Sequence, residues 1–178
     1  SIAIDIPSWD PSLCIQCGKC ALVCPHASIR AKVYDADLLK GAPKTFKSAD
    51  AKWKEFEGAR FTVQVAPEDC VGSGLCAYNC PLKAKAGTTA RPLMRTTQMD
   101  VREKERENWN FFLELPDVDR SKLNLGLVKD VQLLRPLFEF SGACAGCGET
   151  PCLKLLSALV GDRAIIANAT GCSSRYGG

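Results

Sequence analysis

No apolar run in this chain of 178 residues approaches the 18 or so that a membrane-spanning helix needs, so no transmembrane segment and no membrane partner are expected. No stretch combines a basic stripe with interleaved aromatics, and a net charge of +3 is too small to argue for nucleic acid. No signal-peptide pattern opens the sequence, which predicts a reducing, cytoplasmic setting rather than an oxidising compartment. Histidine occurs once, at His26, beside a proline that follows a cysteine, and reads as a packing and tuning residue rather than a ligand. The chain starts at Ser1 without methionine and stops on Arg175, Tyr176, Gly177 and Gly178, a turn-like tail. It reads as an internal piece of a longer protein.

What the chain has instead is cysteine, eleven in all. The count is odd and the spacings are too close for a set of mutual disulfides, which leaves metal or cluster ligands. Cys14, Cys17, Cys20 and Cys24, followed by Pro25, form an unbroken C-x2-C-x2-C-x3-C-P run, the bacterial-type spacing for iron-sulfur cubanes. Three thiolates three residues apart converge on one cluster as the chain wraps around it, and the fourth completes another cluster. A partner run is therefore required downstream. It is present as Cys70, Ser73, Cys76 and Cys80, followed by Pro81, with Ser73 where the second cysteine should stand. By the crossover rule one [4Fe-4S] cluster takes Cys14, Cys17, Cys20 and Cys80. The other takes Cys70, Cys76 and Cys24, with Ser73 at the open corner. Zinc is the competing reading, because two C-x2-C pairs can close a tetrahedral site. A triplet plus one on each side, each ending in proline, fits it poorly. A hydroxyl is far less acidic than a thiol, so Ser73 leaves three options: a cubane with one oxygen ligand, a three-iron cluster, or a poorly retained cubane. The first of these is favoured.

The two runs divide the chain. Residues 1–90 read as a ferredoxin-like iron-sulfur domain built on a degenerate internal repeat, with strands at 29–34 and 60–66, the second alternating Phe61, Val63 and Val65 with Thr62 and Gln64. Residues 35–59 exceed what two clusters require. Their lysines, beside Trp53 and Phe56, read as a solvated loop and short amphipathic helix, with a docking surface as the functional alternative. Residues 91–135 lack cysteine and read as a connector. Its helix at 99–115 has charge pairs that nearly cancel, so packing of Trp109, Phe112 and Leu115 should hold it and Pro116 should end it.

Residues 136–178 read as a third unit. Cys144 and Cys147 sit in a loop ahead of a helix with Thr150 as N-cap and Pro151 at its first position, running through Leu153, Leu156 and Val160 to Gly161. A buried strand is then expected at 163–169, delivering Thr170, Gly171 and Cys172 back toward that loop. Loop, helix, strand and glycine turn would open an α/β domain, giving an α+β chain overall. A fourth ligand for Cys144, Cys147 and Cys172 would be Cys152 or a residue outside the chain, and for Cys152 a small buried hydrophobe is the better reading. Glu149 reads as a first-turn carboxylate unless a cofactor lies beside it.

The strings from Ser141 to Pro151 and from Asn168 to Ser174 closely resemble the thiamine-domain motifs of the pyruvate:ferredoxin (flavodoxin) oxidoreductase family, and the ferredoxin-like module precedes them in the family's order. The resemblance implies that Cys144, Cys147 and Cys172 hold a proximal [4Fe-4S] cluster with a fourth cysteine beyond residue 178. It implies that Glu149 and Cys172 border thiamine diphosphate, Glu149 in a catalytic role. It further implies Mg2+, a homodimer, oxidative decarboxylation of pyruvate with coenzyme A to acetyl-CoA, and delivery of electrons to ferredoxin or flavodoxin. The diphosphate and magnesium motif, the pyruvate-binding residues and the coenzyme A contacts have no counterpart in this chain. A stand-alone ferredoxin-type module, or an oxidoreductase for another 2-oxo acid, are the alternatives.

Overall fold

The computed structural model describes residues 2–82 and 89–176. The tail glycines 177 and 178 lie outside the described residues. Two small antiparallel sheets organise the first half. One pairs β1 (Asp5–Trp9) with β5 (Leu93–Thr97), so that Ile6 faces Thr96 and Trp9 faces Leu93. The other runs β2–β4–β3, with β2 (Ile29–Tyr34), β3 (Ala49–Asp50) and β4 (Arg60–Val65). In its register Ala31 meets Val63 and Val33 meets Phe61.

The strands expected at 29–34 and 60–66 form, but the alternation of β4 does not mark one wet face. Thr62 and Gln64 are buried along with Phe61, Val63 and Val65. The reason is that both faces are covered. Tyr34 and Thr62 share a buried hydroxyl contact at 2.5 Å, and Gln64 donates to Glu105 at 2.6 Å on α3 (Gln98–Glu114), which crosses the far side. That helix buries Trp109 and Phe112, stacked at 5.4 Å, with Leu115 at its end. Packing rather than surface charge holds it, as its sequence implies.

Residues 35–59 contain two 3-10 segments, Ala36–Gly41 and Lys54–Phe56, with β3 between them, closely tied to the core. Trp53 is buried against Phe61 at 5.6 Å, and its indole donates to Asp130 at 2.7 Å. Lys47 donates to the Trp9 carbonyl at 2.8 Å and Lys52 to the Cys14 carbonyl at 2.8 Å. The insert thus braces the first cysteine loop from outside.

Among the described residues the last part contains α4 (Val128–Val131), α5 (Thr150–Val160) and α6 (Ser173–Tyr176) but no strand. The buried strand expected at 163–169 is absent, and Ile165 is fully exposed at 100%. A strand needs a neighbouring strand to satisfy its backbone, and no sheet of the described residues lies beside this stretch. The helix start is also shifted: Glu149 holds the N-cap position, Thr150 is the first helical residue and Pro151 follows it. Arg120 caps the far end of α5 by donating to the carbonyls of Ala158 and Leu159 at 2.7 and 2.8 Å.

Candidate iron-sulfur centres

The repeat seen in the sequence is reproduced in the backbone. Gly18 and Gly74 both adopt the left-handed conformation, at φ 72° and 73°, immediately before the one-turn helices α1 (Lys19–Leu22) and α2 (Leu75–Tyr78). Two residues earlier, Gln16 and Gly72 are left-handed as well, at φ 60° and 75°. Each such pair turns its loop inward so that an amide meets the first sulfur of the run. The Gln16 N–H lies 3.4 Å from the Cys14 thiol, and the Gly72 N–H donates to the Cys70 thiol in the same way. Hydrogen bonds of this kind are among the factors that set cluster potential.

Gly72 suits this turn because it has no side chain; a Cβ there would come within 3.2 Å of Ala3. Gln16 is not glycine, and its side chain supplies the compensation. It is 3% exposed, donates through Nε2 to the Asp50 carbonyl at 2.7 Å and accepts from the Lys52 N–H at 2.8 Å. Sequence reasoning missed this residue. The signal available was its alignment with Gly72 in the repeat.

The cysteines line two recesses. Cys14, Cys17, Cys20 and Cys80 surround one of about 440 Å³, walled by Trp9, Ala31, Phe61, Val63 and Leu93. Cys24, Cys70, Cys76 and Ser73 surround the other, about 470 Å³, with Ile6, Ser28, His26 and Arg95. Each recess therefore gathers the first three positions of one run and the last cysteine of the other. No three His, Cys, Asp or Glu side chains among the described residues converge on one point as a single ion requires. A tetrahedral zinc wants four ligands within about 2.3 Å of one centre. Cysteines distributed around the wall of a recess suit a multi-iron cluster better.

Burial governs the thiols. It pushes Cys14 and Cys70 up, carries Cys76 up to about 12, and raises Cys20 further still, with neighbouring thiols adding to each shift. Such groups stay protonated until a metal displaces the proton, so loading couples to proton release. Ser73 stands exposed at the lip of its recess. His26 is buried, with Nδ1 3.4 Å from the Ser141 hydroxyl, and burial lowers its pKa.

The third set is less assembled. Cys144 is exposed, Cys147 half-buried and Cys172 exposed on the turn before α6. The strand that was to return Cys172 to the loop is missing. The backbone N–H of Thr150 at the start of α5, with that of Glu149 assisting, pulls the Cys147 thiol below its usual pKa. Cys152, expected to be buried, is exposed, because α5 turns its Thr150 and Lys154 face inward. Glu149 is exposed at the N-cap.

A family model described as a 4Fe-4S dicluster domain matches residues 13–84. A pyruvate-flavodoxin oxidoreductase of Nostoc is 56% identical over all of this chain, which spans 15% of that relative. A pyruvate:ferredoxin oxidoreductase of Moorella thermoacetica is 52% identical over 99% of the chain and 14% of its own length. A probable pyruvate-flavodoxin oxidoreductase of Escherichia coli is 48% identical over the whole chain. Over its full length the chain matches this oxidoreductase family. It carries a ferredoxin-like 4Fe-4S dicluster domain in a mixed α and β setting and spans about 15% of the length of the Nostoc and Escherichia coli relatives. No helix among the described residues is long and apolar enough to cross a membrane.

Proposed function

We propose that this chain is the iron-sulfur relay of an enzyme that oxidatively decarboxylates pyruvate with coenzyme A and passes the electrons to ferredoxin or flavodoxin. The observation that carries this reading is the pairing of two recesses with crossed cysteine sets. In it Cys14, Cys17, Cys20 and Cys80 hold one cluster and Cys24, Cys70 and Cys76 the other, with Ser73 at the corner. Bound clusters supply one-electron steps at low potential. The chain's own contribution is to hold the thiolates apart at fixed positions, to wall the sites with apolar side chains and to aim the Gln16 and Gly72 amides at sulfur.

Residues 1–90 serve as the ferredoxin-like domain, 91–135 as a connector and 136–178 as the opening of a thiamine diphosphate domain. Cys144, Cys147 and Cys172 take part in a third, proximal cluster. The helix-start amides that act on Cys147 favour a thiolate at that position. Glu149 follows that thiol by two residues and, with Cys172, faces the thiamine ring in the assembled enzyme. The ring, when bound with Mg2+, acts as the electron sink for decarboxylation. The family resemblance further supports a homodimer in the cytoplasm.

The test is electron transfer by the chain itself. Reconstituted anaerobically with iron and sulfide and then reduced, it should be reoxidised on mixing with oxidised flavodoxin or ferredoxin, and it should not oxidise pyruvate alone. Fully loaded clusters that remain reduced in the presence of either acceptor would contradict the relay assignment.

A further inference from the structure

Helix α5 is apolar in composition, yet two of its most buried side chains are Thr150 and Lys154. Lys154 is 6% exposed, and its nitrogen donates to the carbonyls of Ala21, Leu22 and Cys24, the latter two at 3.3 Å. Three acceptors around one nitrogen match the three N–H donors of an ammonium. These carbonyls belong to the end of α1 and the segment after it, where helix-end carbonyls favour a cation. That segment leads from Cys20, on the first recess, to Cys24, on the second.

A buried cation is costly unless an opposite charge compensates it. Burial lowers the Lys154 pKa and the nearby Arg30 charge opposes the ammonium as well, while the Cys24 and Cys20 sulfurs favour it only once they are ionised. The missing counter-charge is what thiolate-ligated clusters at the two recesses would supply. We propose that Lys154 is a shared counter-ion of the two clusters, raising the reduction potential of both while fixing α5, and the Cys144–Cys147 loop before it, against the ferredoxin-like part. The inference rests on the iron-sulfur reading of the two recesses. Lys154 is a positioning residue, since it touches the ligand-bearing backbone and no cluster atom.

The experiment compares the reconstituted chain with Lys154→Met, Lys154→Gln and Lys154→Arg, measuring iron, acid-labile sulfide and midpoint potentials by EPR-monitored titration. Reduction adds one electron to a cluster, so loss of the cation should disfavour it. At a fixed potential the reduced-to-oxidised ratio should fall roughly tenfold in Lys154→Met, equivalent to about 59 mV for one electron, while Lys154→Arg stays near wild type. Wild-type iron and unchanged midpoints in Lys154→Met would overturn the proposal. If Lys154→Met fails to retain clusters, a loaded Lys154→Gln with lowered midpoints supports the proposal and unchanged midpoints overturn it. Cluster loss in both neutral variants with retention in Lys154→Arg supports a requirement for charge. Loss in all three reduces Lys154 to packing and overturns it. A wild-type chain that binds zinc and no sulfide refutes the iron-sulfur reading itself, a different outcome from any of these.

Discussion

Gln16 offers a quantitative test of how the first cysteine loop is held. Its left-handed backbone costs about 1–2 kcal/mol for any residue with a Cβ, and its buried amide makes two hydrogen bonds, at 2.7 and 2.8 Å. Gln16→Ala keeps the backbone cost and loses both bonds. Each lost bond removes about 1 kcal/mol, and leaving the Asp50 carbonyl and Lys52 N–H unsatisfied adds more, for a total of roughly 2–4 kcal/mol. Gln16→Gly loses the same bonds but relieves the backbone, so it should be the more stable variant by about 1 kcal/mol. The usual order of alanine above glycine is thus inverted. Urea unfolding of the three proteins, loaded under identical anaerobic conditions, measures both differences from the transition midpoints. Wild-type stability in Gln16→Ala, or glycine less stable than alanine, would refute the argument that the side chain anchors the turn.

Ser73→Cys should raise iron content toward about eight per chain, or lengthen the life of the second cluster, because a thiolate replaces a poor ligand at the lip of a formed recess; a three-iron EPR signal lost in the variant would identify the open corner, and identical spectra would remove Ser73 from the site. Cys24→Ser should impair the cluster of the second run and Cys80→Ser that of the first, read from the selective loss of one EPR species in each; loss of the same species in both would break the crossover. Phe112→Ala removes a ring that is 1% exposed and stacked on Trp109, at an expected cost of about 3–5 kcal/mol in urea unfolding, and a change under 1 kcal/mol would show that α3 is not held by this packing.

Much of this site was legible because ligand spacing is a local property. The two runs and the α3 packing residues follow from short strings read in order. What was hidden depends on contacts far apart in sequence. Trp53 looked like part of a solvated loop, and its burial against Phe61 and Asp130 is settled only by the fold. Lys154 sits in an apolar helix pattern that favours a leucine face inward, and its carbonyl partners lie more than a hundred residues away. The strand expected at 163–169 failed for the opposite reason. Its apolar residues meet the local pattern, but the described residues give it no sheet to join.

The central claim, that crossed cysteine sets hold two clusters, is tested most directly by metal and sulfide analysis of the anaerobically reconstituted chain with low-temperature EPR of the reduced protein. About seven to eight iron with matching acid-labile sulfide from these two sites, and the signals of two nearby reduced clusters, are expected. Stoichiometric zinc, no acid-labile sulfide and an EPR-silent reduced protein would contradict it.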